Sequence, residues 1–478
     1  MIVRTAAALG ALMIATAAQA AAPPASPLPP PADQQLARDL LAELVGIDTV
    51  HRSGTLKAAQ AIQARLKAAG FADGDVSLLT IPEHPTQAQL VVRMRAPNSK
   101  GKGAPKAKPI LWICHLDVVE AKREDWTVDP FTLTEKDGWF YGRGSQDMKS
   151  EDAAVLESLI RLKREGFVPD RDLIVAFTSD EESGDANGPD WLIKTHRDLI
   201  DAGLVINPDA GGGSIENGKR LAYGIQTSEK VYVTFRAEAT DKGGHSSVPE
   251  PNNPIYRLAE ALGKVAAYKF PVETTPTTRG WFAAQAAYAE GQEAADMLAM
   301  SKLPTDMAAA ERLSQRPSTA PRLRTTCVAT EIAGGHAENA LPQRAYASIQ
   351  CRMIPLDTEA GVKAQLEKVI ADPQVKLTTI APATPAPDSP PDPALFARIA
   401  KVVDQEWPGV KVIPHMDLGA SDSIYTRAAG IPSYGLSAVW SDIDDNRAHG
   451  RDERIRVDRY YEGVEFAYRI MKELGRAR

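Results

Sequence analysis

Five short segments, in chain order, carry residue types that suit a pair of hydrated divalent metals. They are His115-Leu-Asp117, Asp147 in Gly144-Ser-Gln-Asp147-Met-Lys149, the pair Glu181-Glu182, Asp209 in Asn207-Pro-Asp209-Ala-Gly, and His449. Two such ions need two imidazoles, several carboxylates and one spare carboxylate to act as a base. Taken singly, each segment has an ordinary explanation. His-x-Asp triplets are common, and Asp147, just after Gly142-Arg143-Gly144, suits a turn cap. Asp209 fits a loop acid, His449 a surface histidine, and Asp180-Glu181-Glu182 a solvated charged loop. The adjacent pair says more, because neighbouring carboxylates repel unless a cation or a proton separates them. One of the two can hold metal while the other takes a proton from the attacking water. On extended chain, residues two apart face the same way, which places Asp117 to orient a metal-bound His115 imidazole.

The elements that must position these residues follow from the hydrophobic pattern. Residues 109–114 (PILWIC), 172–178 (DLIVAFT) and 203–207 are apolar runs, as expected for strands covered on both faces. Helical periodicity fills 152–165 and 191–202, after earlier helices over 34–45 and 55–69, the latter ending at Gly70. This βαβα rhythm predicts an α/β domain with a mostly parallel central sheet. Such sheets bind ligands beyond the carboxyl ends of their strands, and His115, Glu181 and Asp209 each come just after an apolar run. The middle of the chain differs. A half-exposed strand over 230–237, a helix over 253–268, strands flanking Gly334-Gly335, a helix over 359–371 and a strand over 375–380 give a β-α-β-β-α-β order. That order predicts an inserted ferredoxin-like domain. The Ala-, Met- and Glu-rich helical stretch 281–313 is expected to extend it. A proline-rich return segment, 381–393, precedes renewed alternation that carries His449, so the first domain is discontinuous: 34–223 and 383–478, with 224–382 inserted. No internal repeats are present.

The chain has 478 residues, too many for one compact core, so two domains are expected. A formal charge of −7 provides no basic field for nucleic acid or anionic lipid. At the N-terminus, Arg4 precedes an apolar run over 6–18 that ends in Ala18-Gln19-Ala20, the pattern of a secretory signal peptide cleaved after Ala20. The run is too short for a membrane anchor, so export to a periplasm or to the exterior is expected, without membrane insertion. Residues 21–33 read as a proline-rich tether that is not helical. Three cysteines, Cys114, Cys327 and Cys351, exclude a disulfide scaffold. Cys327 and Cys351 are symmetric about Asn339, so a simple hairpin sets them opposite each other. They fit either a disulfide or two small buried residues on neighbouring strands.

Jointly, Asp147, Glu182 and Asp209 with two imidazoles give three protein ligands per metal when Asp147 bridges. Such a donor set suits zinc, and also cobalt or manganese. The five segments resemble, in order and setting, those of the M20 family of metallopeptidases, which includes carboxypeptidases, dipeptidases and aminoacylases. The resemblance spans residue 34 to the C-terminus. It implies one zinc on His115, Asp147 and Asp209 and a second on Asp147, Glu182 and His449. It further implies that Asp117 orients His115 and that Glu181 is the general base that activates water and then protonates the leaving amine. Gly243-Gly244-His245-Ser246-Ser247, followed by Pro249 and Asn253, resembles the family's lid motif, with His245 donating to the oxyanion. Asn339-Ala-Leu-Pro342, Arg352 and Gly419-Ala-Ser421-Asp422 resemble its substrate-binding positions, Arg352 being suited to fork onto a carboxylate. The stretch 271–324 is longer than the short dimer-forming lid of many members and is similar to the enlarged lid of the Gly-Xaa carboxypeptidase branch. Monomer and homodimer therefore both stay open, as does whether His245 serves its own subunit or a partner's. The expectation is an exported di-zinc exopeptidase that cleaves small peptides beside a free C-terminal carboxylate. An N-acyl-amino-acid amidohydrolase and a silent peptide-binding protein on the same scaffold are the alternatives; the second has no use for Glu181.

Overall fold

A computed structural model describes residues 26–97 and 107–476. The expected signal peptide and residues 21–25 of the expected tether lie outside these residues. The strand Ile110–His115 sits between Leu173–Thr178 and Leu204–Asn207 and is parallel to both, at the centre of a ten-stranded, mostly parallel sheet. Side-chain alternation assigns Ile110, Trp112 and Cys114 to one apolar layer and Leu111 and Ile113 to the other. The first layer is closed by the helices Pro31–Val45, Leu56–Ala68, Lys149–Arg164, Pro393–Glu406 and Val457–Leu474. Parallel pairing brings the carboxyl ends of the three central strands to one edge, and every metal-seat candidate leaves from that edge or from a loop folded over it.

A second, four-stranded sheet runs in the order Thr326–Gly334, Arg344–Met353, Val231–Thr240, Val375–Ala381. All its neighbours are antiparallel. With the helices Pro254–Ala267 and Glu359–Ile370 it forms the ferredoxin-like lid. Val233, Phe235, Ala237 and Ala239 alternate into its separate core. Cys327 and Cys351 face each other in register across this sheet and are joined by a disulfide, with Cα atoms 4.1 Å apart.

Three expectations are corrected. Residues 31–33 belong to the helix Pro31–Val45 and not to the tether, because proline in the first turn has no intrahelical N–H to lose and its φ suits the helix. The insert does not start at 224: Lys219–Glu229 is a continuous strand of the central sheet, and the crossover follows at Lys230. Its last four residues (Gln226, Thr227, Ser228, Glu229) are buried yet polar, so the apolar stretch 221–225 ends before the strand does. The stretch 281–313 does not extend the lid core. Its helices Pro276–Gln285, Gly291–Met300 and Met307–Leu313 bury Trp281, Phe282, Met297 and Met300 with Ala222 and Ile413 of the central sheet.

Candidate metal centre

His115 ends its strand fully inside the protein, and its Nε2 lies 3.2 Å from Asp147 Oδ1 and 3.6 Å from Asp209 Oδ1. The other oxygen of Asp147 faces the second imidazole, with His449 Nε2 at 3.1 Å. That same Nε2 is 3.0 Å from Glu182 Oε1. One carboxylate thus stands between two imidazoles, each of which also faces a carboxylate of its own. Donor atoms of His115, Asp147 and Glu182 all fall within 4.8 Å of one another, close enough to share an ion. His449 is held at φ +62, in the left-handed region, within a loop that brings it to this group.

Crowding of acids sets the electrostatics. Burial, reinforced by the charge of Asp209, pushes the Glu181 carboxyl well above its usual range. Burial likewise raises Glu182 and Asp209. For Asp147 burial pulls the same way, but hydrogen bonds and charges from both imidazoles outweigh it and hold the group below the ordinary carboxylate range. The hydrogen bonds to Asp147 and Glu182 raise His449 to about 10. Burial lowers the His115 imidazole, yet Asp147 and Asp209 together drive it well above its usual value. Protons on the imidazoles thereby carry the positive charge that four half-buried carboxylates demand, and a divalent cation on the same donors supplies it better. The nitrogen and oxygen donors fit two divalent metals of the zinc, cobalt or manganese kind.

Asp117 acts differently from expectation. The Nδ1 of His115 is 3.1 Å from the Asp117 main-chain carbonyl but 3.8 Å from its carboxylate. The carboxylate instead accepts the main-chain N–H groups of Glu181, at 3.2 Å, and Glu182, at 3.1 Å. Asp117 therefore steadies the imidazole through its backbone and the two glutamates through its side chain. The acidic run 180–182 is not a solvated loop: Asp180 is fully buried and bonds to His51 Nδ1 at 2.6 Å. Glu181 points into the cavity, and its carboxylate makes no hydrogen bond or ion pair among the described residues.

The cavity measures about 950 Å³ and lies between the central sheet's edge and the lid. Asp147, Glu181, Glu182, Asp209 and His449 border it, as do Arg352, Gly419 and Ser421. Arg352 comes from the lid strand Arg344–Met353, lies over the Tyr232 ring at 4.9 Å and has no ion-pair partner among the described residues. Ser421 reaches the cavity wall, but its hydroxyl donates to buried Glu229 at 2.9 Å. His245 and Asn339 do not border the cavity. Both are exposed, next to the short ladder that pairs Gly244–His245 with Ala340–Leu341, and the His245 ring meets Ser247 Oγ at 2.7 Å. Asp422 stands where the sequence placed a substrate-binding loop, whereas two contributors, Arg143 and Glu453, were given no role from the sequence. Asp422 lines the cavity, accepts from Asn187 at 2.6 Å and is raised to about 7 by burial. Arg143 and Glu453 lie buried behind the seats, and only the strict pattern Gly142-Arg143-Gly144 hinted at the first of them.

A buried parallel strand ending in one imidazole, a second imidazole on a loop folded over it and a carboxylate between the two, beneath a ferredoxin-like lid, form the arrangement of a metallohydrolase. Residues 111–473 match peptidase family M20/M25/M40, and the chain belongs to that family. A carboxypeptidase S-like protein of Dictyostelium discoideum is 30% identical over 382 residues, 76% of this chain and 71% of that protein. The human N-fatty-acyl-amino acid synthase/hydrolase PM20D1 is 26% identical over 376 residues, 77% of this chain and 74% of the relative. Human aminoacylase-1 is 25% identical over 391 residues, covering 77% and 81%. Among solved structures, an M20 family metallo-carboxypeptidase from Sulfolobus solfataricus superposes with a TM-score of 0.68 at 17% identity, covering 92% of this chain and 99% of the other. The protein is thus an enzyme, a metallopeptidase or aminoacylase-like hydrolase.

Proposed function

We propose that this enzyme is an exported di-zinc exopeptidase that hydrolyses the amide bond next to a free C-terminal carboxylate in small peptides. The observation that carries the reading is Asp147 set between His115 and His449 while Glu181, in the same cavity, has a carboxylate with no hydrogen bond or ion pair among the described residues. Two divalent ions on these donors would polarise the scissile carbonyl and acidify a water molecule. Glu181 then takes the proton from the attacking water and returns it to the leaving nitrogen, breaking the C–N bond. Arg352, at the lid side of the cavity and with no ion-pair partner among the described residues, receives the substrate carboxylate. His245 donates to the oxyanion once lid movement or a second copy of the chain brings it to the cavity. Export is supported by the signal-peptide pattern over residues 1–20 and by the Cys327–Cys351 bridge, which an oxidising compartment preserves.

A second reading, hydrolysis of N-acyl amino acids, is favoured by the names of two relatives, PM20D1 and aminoacylase-1. It uses the same residues with an acyl group in place of the N-terminal residue. A product assay over dipeptides, longer peptides and N-acyl amino acids, with zinc, cobalt and manganese compared, separates the two. Release of C-terminal residues from peptides is the expected result; cleavage of acylated amino acids alone overturns the peptidase reading. N-terminal sequencing of the mature protein, expected to begin at Ala21, tests export.

A further inference from the structure

Asp147 and His449 reach the metal centre on loops that are remote in sequence, and a buried ion pair lies behind both. Glu453 is fully buried. Its Oε2 accepts from the Arg143 guanidinium at 2.5 Å and from the Gly144 N–H at 3.0 Å. Its Oε1 accepts from the N–H groups of Gln146, at 2.6 Å, and of Asp147 itself, at 3.1 Å. Four donors therefore converge on one carboxylate, and three are main-chain amides of the turn that aims Asp147. Arg143 faces the other loop: its Nη2 donates to the carbonyls of Gly450, at 3.1 Å, and His449, at 3.4 Å, and also to that of Glu120 at 3.4 Å. The guanidinium packs over Trp126 at 5.1 Å, which excludes water from the pair. Two further bonds close the seam, Gly142 N–H to the Glu453 carbonyl at 3.1 Å and Arg447 N–H to Gln146 Oε1 at 2.8 Å.

A buried ion pair is a poor way to gain stability, since desolvation cancels most of the attraction and a packed apolar pair serves as well. Aimed acceptors for several main-chain amides are something that apolar residues cannot provide. Metal sites, for their part, depend on surrounding groups that hold each ligand in place. We propose that Arg143 and Glu453 are positioning residues, a clasp that locks the Asp147 turn to the His449 loop and thereby fixes the spacing of the two metal seats. The proposal rests on the assignment of Asp147 and His449 as ligands.

The test is a zinc titration, followed calorimetrically, of the full chain stripped of metal, with urea unfolding of the metal-free protein alongside. Glu453→Gln replaces one acceptor oxygen with an NH₂ that meets main-chain N–H donors, so the grip on the turn is lost. Zinc binding is expected to weaken about 10- to 100-fold, with kcat recovering at saturating zinc while KM stays unchanged. Arg143→Lys, which cannot span both loops, is expected to weaken zinc binding in the same direction. Where Glu453→Gln does not fold, Glu453→Asp, with the charge drawn back by one methylene, gives the same reading. Wild-type zinc affinity in these variants, whatever happens to the urea midpoint, makes the clasp merely structural and overturns the proposal. The control is Asp147→Asn. Wild-type zinc binding there overturns the ligand assignment itself, whereas weak binding there with wild-type binding in the clasp variants overturns the clasp alone.

Discussion

Glu181→Gln separates the base from the metal seats. The amide has the same shape as the carboxylate it replaces, and that carboxylate has no hydrogen bond or ion pair among the described residues, so no contact is forfeited. The main-chain N–H of Glu181 stays bonded to Asp117. General-base catalysis contributes roughly 10²- to 10⁴-fold, so a central loss of about 10³-fold in kcat is expected, about 4 kcal/mol of barrier. Binding should hardly change, because Arg352 is untouched and lies on the lid; KM is expected to stay within about threefold, the pattern of a group acting only in the transition state. Stability should hold or rise, since the substitution removes a carboxylate whose charge is disfavoured by burial and by Asp209. Steady-state hydrolysis of the best peptide gives kcat and KM, elemental analysis gives zinc per chain, and urea unfolding gives stability. Near wild-type turnover would refute the assigned base. Loss of zinc would refute the division of roles, since Glu181 would then be a ligand.

Three other perturbations test separate parts of the structure. His245→Ala should lower kcat about 10²-fold with zinc content unchanged; in mixtures with Glu181→Gln, restored turnover places His245 in a partner's site and no restoration places it in its own. Arg427 pairs with Glu229 at 2.6 Å, both nearly fully buried, and also bonds to Gln226 and Ser389, tying both crossovers to the substrate loop through Ser421. Arg427→Met should cost about 3–5 kcal/mol in urea unfolding, largely recovered by adding Glu229→Gln; a loss under about 1 kcal/mol would show that the pair is not holding the crossover. Glu157 is buried with neither carboxylate oxygen hydrogen-bonded among the described residues, and burial raises it from 4.5 to about 8. The folded state therefore keeps a proton that the unfolded state releases, so its contribution is full below pH 4.5 and is lost as pH rises to 8. Glu157→Gln should remove up to about 3 kcal/mol of that decline between pH 5 and pH 8; an unchanged pH profile refutes the shift.

The parts of the site that were legible at strand ends share one property: each candidate residue is placed by its own neighbours. PILWIC reads as a buried strand, so His115 reads as its end; the same holds for DLIVAFT before Glu181 and for the short run before Asp209. The lid order was legible because period-2 and period-3.6 patterns alternate cleanly through it. Elsewhere local pattern and tertiary role part company. The last four residues of Lys219–Glu229 are buried and polar, satisfied by distant partners, Arg427 and Ser421 among them, so hydropathy gives no sign that the strand continues past Ile225. The helices over 276–313 have an apolar face that suits either the lid or the central sheet, and only Ala222 and Ile413 decide the matter. The first half of His84–Met94 holds a proline and polar residues, and pairing on both sides extends the strand beyond its apolar run at Leu90, Val91 and Val92.

Glu453 is the sharpest case. An acid four positions after His449 looks like any other loop carboxylate, and its significance lies in four donors from residues 143–147. Three of those donors are main-chain amides, which every non-proline residue offers, so no residue type at the far end marks the partnership. Groups that grip backbone leave no complementary signature in a single sequence, whereas groups that hold metal leave one in their own chemistry. The candidate ligands of this enzyme could therefore be picked out before its fold, and the residues that space them only after it.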